Sequence, residues 1–379
     1  MANVQNRNID RKLCCGCTAC ATACPSEAIR MKKDRMGFEY PSVDAGRCTD
    51  CGFCLDVCQF QDGFEVCDKS FSQLSFAARD EISLGKSQSG GMGYAFMKWM
   101  VENGGIVYGV GMDDSFLPVY KRARSLPELE EFRLSKYAQS RIGKTIPMVK
   151  KDLEDGFRVL FIGTGCLVSG LLSVIPRHLR TNLFTIDIVC HGVPAPSLWT
   201  GYLDYLRKKK GKAIKEAVFR DPSCGWHSIY ETVDFGDEKI TVNDYSFLFM
   251  ENIALRPSCG NCHFASLKRS SDITIGDCWG IEKVEQRFDD GKPWSLVLCN
   301  SRKGSLLFEK LSEGFTSFPI DVSAVLQPNL KGPTSLSARS DIFEKDFINR
   351  GFEYVNRKYG RSSIRHCLKA FVAKIKRHL

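Results

Sequence analysis

The 379-residue chain contains no apolar run long enough to be read as a membrane span. The stretch from Val159 to Ile175 is 17 residues without a charge, broken by Gly163-Thr164-Gly165, Ser169, Gly170 and Ser173. A spanning helix needs ~20 mostly apolar residues, so strand, turn and helix explain the stretch better. The opening MANVQNRNIDRKL is polar, without the apolar core of a secretory signal, and structural disulfides are therefore not expected. Acidic residues are missing from Tyr354 to Leu379, where eight Lys or Arg stand. That segment carries +8 of the formal +9, so the body is close to neutral and nucleic-acid binding by it is not supported. Complete nucleotide signatures are missing too. In GTGCLVSG, Leu171 and Leu172 occupy the Lys and Ser/Thr positions of a P-loop, and Gly170 is displaced from the third glycine of GxGxxG.

Cysteine is what the chain has in excess, 18 in all. Cys14, Cys17, Cys20, Cys24 and Pro25 follow C-x2-C-x2-C-x3-C-P, the run that holds bacterial-type [4Fe-4S] clusters. The same spacing returns 34 residues later at Cys48, Cys51, Cys54 and Cys58. In such pairs the fourth cysteine serves the other cluster. One cluster is expected on Cys14, Cys17, Cys20 and Cys58, the other on Cys48, Cys51, Cys54 and Cys24. Cys15 is left over as a non-ligand, and Gln59 replaces the usual second proline, a change expected to affect only the turn. Zinc more often takes two CxxC pairs than two runs of four thiols.

Length suggests two or three domains, and 43% hydrophobic content is ordinary for a packed core. Residues 1–68 read as a ferredoxin-type domain, followed by a polar, Ser/Gly-rich connection from Cys67 to Gly91. Beyond it, helical and strand-like stretches alternate, which argues for an α/β core. GYAFMKWMVENG, LPELEEFRLSKYAQS and CLVSGLLSVIPRHL read as helices; GIVYGVGM, RVLFIGTG and LFTIDIVCHG read as strands. Cys166 falls just past a strand, where α/β proteins tend to hold ligands. At the other end, Ile364, Leu368, Phe371, Ile375 and Leu379 recur at helical spacing, with Arg365, Lys369, Lys376 and Arg377 on other faces. A basic amphipathic helix of this kind meets a membrane surface or an acidic partner, or docks on the body as a terminal helix.

SQSGG, SKYAQS, GTGC, VCHGVPAP, FRDPSCGWH and CGNCHFASLKRSSDITIGDCWG, in that order between Leu84 and Leu330, resemble the coenzyme F-420 hydrogenase/dehydrogenase family of beta subunits. The family has deazaflavin-reducing and tetrapyrrole-reducing members, and bacterial members beside polysaccharide-synthesis genes. The resemblance implies an α/β (α+β) flavin-binding core behind a small 2[4Fe-4S] ferredoxin domain. Its flavin-binding part would be 84–160, its cluster-bearing part 161–330, and 335–379 a basic helical tail. It points to FAD contacts at Gly90, Gly91, Lys136, Tyr137 and Ser140. Bare glycine backbone admits a pyrophosphate at a helix start, and Lys136 supplies a point charge. The family's cysteine set maps onto Cys166, Cys190, Cys259 and Cys262, implying a third [4Fe-4S] cluster. Neighbouring parallel strands would bring Cys166 and Cys190 to one sheet edge. Taken alone, CGNC reads as half a zinc site or a redox pair. Gly165 and Leu167 depart from the family's usual PCQ, leaving open any contact of that glutamine with the flavin.

His191 and His227 are candidate proton donors, since imidazole titrates near neutrality, although each also reads as an ordinary structural histidine. Asp272 and Asp277 read as turn residues in preference to partners of site donors. The leading expectation is a cytoplasmic iron–sulfur flavoprotein oxidoreductase, its tail able to touch the inner membrane face. It would pass electrons between ferredoxin or a partner subunit, the clusters, FAD and a small hydride-accepting substrate. The alternatives are an electron-transfer subunit with no substrate site of its own, and a scaffold with structural metal.

Overall fold

The structure, a computed structural model, describes residues 11–61 and 71–361. The amphipathic tail positions from Ile364 onward lie outside the described residues.

The N-terminal module is two short helices around one hairpin: α1 (Ala19–Ala23), β1 (Ile29–Lys33), β2 (Glu39–Val43) and α2 (Phe53–Asp56). The strands pair antiparallel, Ile29 opposite Val43. Each helix is entered through a left-handed residue, Thr18 (φ 64°) for α1 and Gly52 (φ 80°) for α2. Such a residue turns the chain sharply, letting a loop curl around what its thiols hold. The module's own buried apolar cluster is small, Ile29, Cys54 and Leu55. Its hairpin tip buries Met36 and Phe38 in the core of the larger domain instead.

That domain runs β3 (Leu74–Arg79), α3 (Met92–Glu102), β4 (Ile106–Met112), β5 (Pro118–Ala123), α4 (Leu126–Leu129), α5 (Thr145–Glu154), β6 (Val159–Thr164), α6 (Gly165–Val174), β7 (Leu183–Ile188) and α7 (Pro196–Lys210). It continues with β8 (Glu216–Val218), β9 (Glu231–Asp234), β10 (Lys239–Val242), α8 (Asp244–Met250), β11 (Ile273–Asp277), β12 (Ser295–Cys299), α9 (Arg302–Leu311), β13 (Thr316–Pro319), α10 (Pro328–Lys331) and α11 (Ser340–Tyr359). Among the described residues an eight-stranded sheet has the order β13-β3-β12-β11-β7-β6-β4-β5. Its centre, β11-β7-β6-β4, is parallel, and its outer pairs are antiparallel. Side chains alternate between faces. Val107 and Leu160 pack under α3 and α9, while Ile106, Tyr108, Val159 and Phe161 pack under α5 and α6. A third cluster stacks Trp199 on Phe219 at 3.8 Å and receives Phe343, Phe347 and Phe352 from α11.

Three readings need correcting. The polar connection contains β3, whose Ala77 and Ala78 are wholly buried between β12 and β13; strand pairing overrides local composition. The helix expected from Leu126 to Ser140 stops early, at α4 and a 3₁₀ turn over Glu130–Phe132. Leu134 turns left-handed (φ 65°), and Gln139 and Arg141 hydrogen-bond to the backbone of Pro194 and Pro118. The helix read through Leu179 ends at Val174, before Pro176, which cannot continue it. Ranges 84–160 and 161–330 share one sheet. No helix among the described residues is long and apolar enough to cross a membrane.

Candidate functional site

In the module, the thiols of Cys14, Cys17, Cys20 and Cys58 stand close enough for their charges to act on one another. This is the crossed set of the spacing rule. Burial raises the pKa of Cys14, Cys20 and Cys58. On the far side, Cys24 and Cys54 pack around Ile29 and Leu55, with Cys48 and Cys51 on the loop entering α2.

The core assembles a further four thiols from three segments. Cys166 lies in the first turn of α6, Cys190 just past β7, and Cys259 and Cys262 on and after the 3₁₀ turn Pro257–Asn261. β6 and β7 are parallel neighbours, Thr164 beside Ile188, so Cys166 and Cys190 leave the same sheet edge. All four line one cavity of about 50 Å³ and perturb each other's ionisation. The backbone N–H of Val193 donates to Cys259 Sγ at 3.4 Å. Burial pushes Cys190 well up, Cys259 up to about 12 and Cys262 to about 11. Thiolates here are disfavoured unless a cation joins them, which metal ligation supplies. Among the described residues no group of three or more His, Cys, Asp or Glu could hold a metal ion as placed. The fit to iron–sulfur groups rests on donor chemistry: convergent sets made of sulfur alone.

Cys15, expected to be a bystander, is buried between the two sites, its thiol near enough to those of Cys166 and Cys17 to perturb their ionisation. That proximity lowers Cys17 and Cys166 below the usual thiol range, while Cys15 itself is raised. Gln59 is fully buried, its Nε2 donating to Cys15 Sγ at 3.2 Å and to the Cys166 carbonyl at 2.8 Å. The proline it replaces has no donor to do this. Gly170 has a packing reason: a Cβ there would stand 2.6 Å from Cys17 Cβ. Gly165 is crowded too, with Asp187 and Phe264 each 2.9 Å from a notional Cβ, which leaves no room for the family's proline.

A second cavity, of about 320 Å³, opens at the carboxyl ends of β4, β6, β7 and β11. Gly91, Lys136, Tyr137, Ser140 and His191 line it, and it shares Ser140, Thr164 and the segment Cys190–Val193 with the cysteine cavity. Gly91 (φ 83°) leads into α3, whose first turn faces the cavity without a side-chain cap. Gly90 is not in the wall; its bare Cα fits between β3 and β12, where a Cβ would be 2.5 Å from the Ala78 carbonyl. Lys136 donates to the carbonyls of Glu131, at 2.7 Å, and Arg133, and burial lowers its pKa to about 7. Tyr120 in the same wall keeps a buried hydroxyl without a partner.

His191 meets Asn252 Oδ1 through Nε2 at 2.6 Å and packs edge-on against Phe249. His227 is exposed, outside the cavity, beside Trp226 and Trp279. The aspartates are not mere turn residues. Asp277 accepts from Arg220 at 3.0 Å and from Trp226 Nε1 at 3.1 Å. Asp272 accepts from Thr185 N and Oγ1 and from Ser301, tying β7 to the start of α9. Sequence reasoning missed Arg220, buried in the cavity wall, and Arg256 and Gln139 at the module junction. The available signals were position alone: Arg220 lies in FRDPSCGWH, Gln139 in SKYAQS, and Arg256 three residues before Cys259.

Residues 156–317 match the family model for the C terminus of the coenzyme F420 hydrogenase/dehydrogenase beta subunit. Residues 13–61 match the 4Fe-4S dicluster domain. The chain is 26% identical over 189 residues to a coenzyme F420-dependent sulfite reductase of Methanocaldococcus jannaschii, covering 47% of this chain and 28% of that protein. It is 25% identical over 191 residues to one of the subunits of the F(420)H(2) dehydrogenase of Methanosarcina mazei, covering 48% and 54%. It therefore spans about a quarter and about half the length of these curated relatives. A chain of the F420-reducing [NiFe] hydrogenase complex from Methanosarcina barkeri aligns with a TM-score of 0.46 at 18% identity, covering 78% of this chain and 96% of that one. In order along the chain, a match to the 4Fe-4S dicluster domain is therefore followed by a match to the C terminus of the coenzyme F420 hydrogenase/dehydrogenase beta subunit.

Proposed function

We propose that the chain is an FAD- and iron–sulfur-dependent oxidoreductase, with a third [4Fe-4S] cluster on Cys166, Cys190, Cys259 and Cys262. The observation that carries this reading is the shared wall. The cavity lined by Gly91, Lys136, Tyr137, Ser140 and His191 meets the four-cysteine cavity along Cys190–Val193. Its walls suit an elongated anion with a planar end: an uncapped helix start, a lysine, and the buried, unpartnered Tyr120 hydroxyl. When bound, the clusters carry single electrons and the flavin pairs them for hydride chemistry. The chain's own task is placement. α3 and Lys136 hold negative charge, the sheet edge keeps the two cavities adjacent, and His191 stands at the wall, its ring fixed through Nε2 by Asn252. The substrate is a small hydride acceptor, and the reaction belongs to the reducing cytoplasm.

Anaerobic purification followed by metal and flavin analysis tests this. We expect about twelve irons and one acid-extractable FAD per chain. Iron-replete protein whose acid supernatant shows no flavin fluorescence overturns the flavin assignment. A second reading, a subunit that only relays electrons to a partner, is favoured by the naming of one relative as a subunit. Turnover of any hydride acceptor by the isolated chain would exclude it.

A further inference from the structure

The junction between module and core holds a buried charge that no carboxylate balances. Arg256 is wholly inaccessible, and among the described residues it makes no ion pair with an acidic side chain within 4 Å. Its guanidinium instead donates to the Cys14 carbonyl at 2.7 Å, the Glu39 carbonyl at 2.8 Å and Gln139 Oε1 at 2.7 Å, and reaches Cys14 Sγ at 3.8 Å. The Tyr40 ring lies 4.3 Å away on one side. The module's first loop is shaped to it. Gly16 (φ 73°) sits where a Cβ would stand 3.0 Å from Arg256 Nη1, so the cysteine run admits a guanidinium only because its third residue is glycine. The backbone of Arg256 serves the other site: its carbonyl accepts from Cys259 N at 2.9 Å, and the residue lines the cavity of Cys166, Cys190, Cys259 and Cys262. The other buried arginine of that wall, Arg269, is paired with Asp187 at 3.3 Å. Arg256 is the unbalanced one.

Leaving a cation uncompensated in such a place is strongly unfavourable. Carbonyls and an amide soften the cost, but net negative charge is still missing, and iron–sulfur groups ligated by four thiolates supply it. We propose that Arg256 is the shared counter-charge of two iron–sulfur sites, the module's Cys14 set and the core's Cys259 set, and raises the reduction potential of both. The inference rests on reading the core cysteines as a cluster site. Its logic is Coulombic. An added electron arrives without a proton, and a fixed cation stabilises the reduced state at both ends of the junction. Arg256 is thus a positioning residue for charge, holding both ends of the junction easier to reduce than their thiolates alone would make them.

The test is a potentiometric titration followed by electron paramagnetic resonance. It uses the full-length anaerobic protein, its iron counted, with Arg256→Gln, Arg256→Lys and Gln139→Glu variants. Arg256→Gln should lower the potential of the Cys14-set cluster, and of the core cluster, by about tenfold in reduction equilibrium, which is 59 mV for a one-electron couple. Arg256→Lys should restore most of that shift, whereas a purely structural arginine would be rescued in stability and not in potential. Gln139→Glu puts a carboxylate at the same guanidinium while keeping the arginine and its packing, and should lower both potentials too. If Arg256→Gln fails to keep its iron, Gln139→Glu decides, and unmoved potentials in an iron-replete Gln139→Glu protein overturn the proposal. A wild-type protein with about eight irons and two cluster signals would refute the third cluster instead. The Cys14-set potential would then still judge Arg256.

Discussion

In the module, each thiol set comes from one eleven-residue run plus a single cysteine of its twin. In the core, Cys166 and Cys190 come from the ends of two parallel strands, and their partners from a turn some seventy residues further on. The module has an apolar cluster of only Ile29, Cys54 and Leu55, with further support from the core at Met36 and Phe38. The core site rests on a sheet covered on both faces. A domain with so little apolar interior leans on its metal for stability, whereas a sheet with helices on both sides is stable before any metal arrives.

Stripping the iron should separate the two most sharply. We expect residues 11–61 to lose protection from hydrogen exchange and proteolysis while β4, β6 and β7 keep theirs; equal loss in both would erase the contrast. Next in size, Cys259→Ser should remove roughly four irons per chain and leave the module's signals intact, and Cys58→Ser should remove roughly four from the Cys14 set and leave the core signal intact. Loss of all iron from either variant would mean that the sites assemble as one unit.

A smaller effect is expected at the seam. Gln59→Leu leaves the Cys166 carbonyl without its donor, and Gln59 Oε1 is already buried unpaired. The cost should be about 1–2 kcal/mol, seen as a lower urea midpoint and earlier cleavage between module and core. The mildest prediction concerns Lys136, whose pKa burial lowers to about 7. Above that pH the free protein holds the lysine neutral, so an anionic ligand must bring a proton with it. Flavin affinity should fall as pH rises through 7, by at most about tenfold per unit. A Lys136→Met variant should show a flat profile between pH 6 and 9 by fluorescence titration.

The cysteine runs, the strands β4, β6 and β7 and the starts of α3 and α6 were legible because each is written in contiguous residues. Spacing reads out a loop that wraps a cluster, and apolar periodicity reads out a buried strand. Gly91, Lys136, Tyr137 and Ser140 could be named in advance only through resemblance; no local pattern distinguishes them from punctuation and surface charge. Other features were invisible along the chain. β3 hides in a polar stretch, and its strand state comes from pairing with β12 and β13. Cys15 looked spare and Gln59 looked like a missing proline, since their partner, Cys166, is over a hundred residues away. Arg256 reads as one more basic residue until Gly16, Glu39 and Gln139 close around it. The sequence by itself determined the module's two runs of candidate ligand thiols, because such loops are local. Tertiary structure decided what lies between the sites, because a buried charge or hydrogen bond takes its meaning from groups that only folding brings within reach.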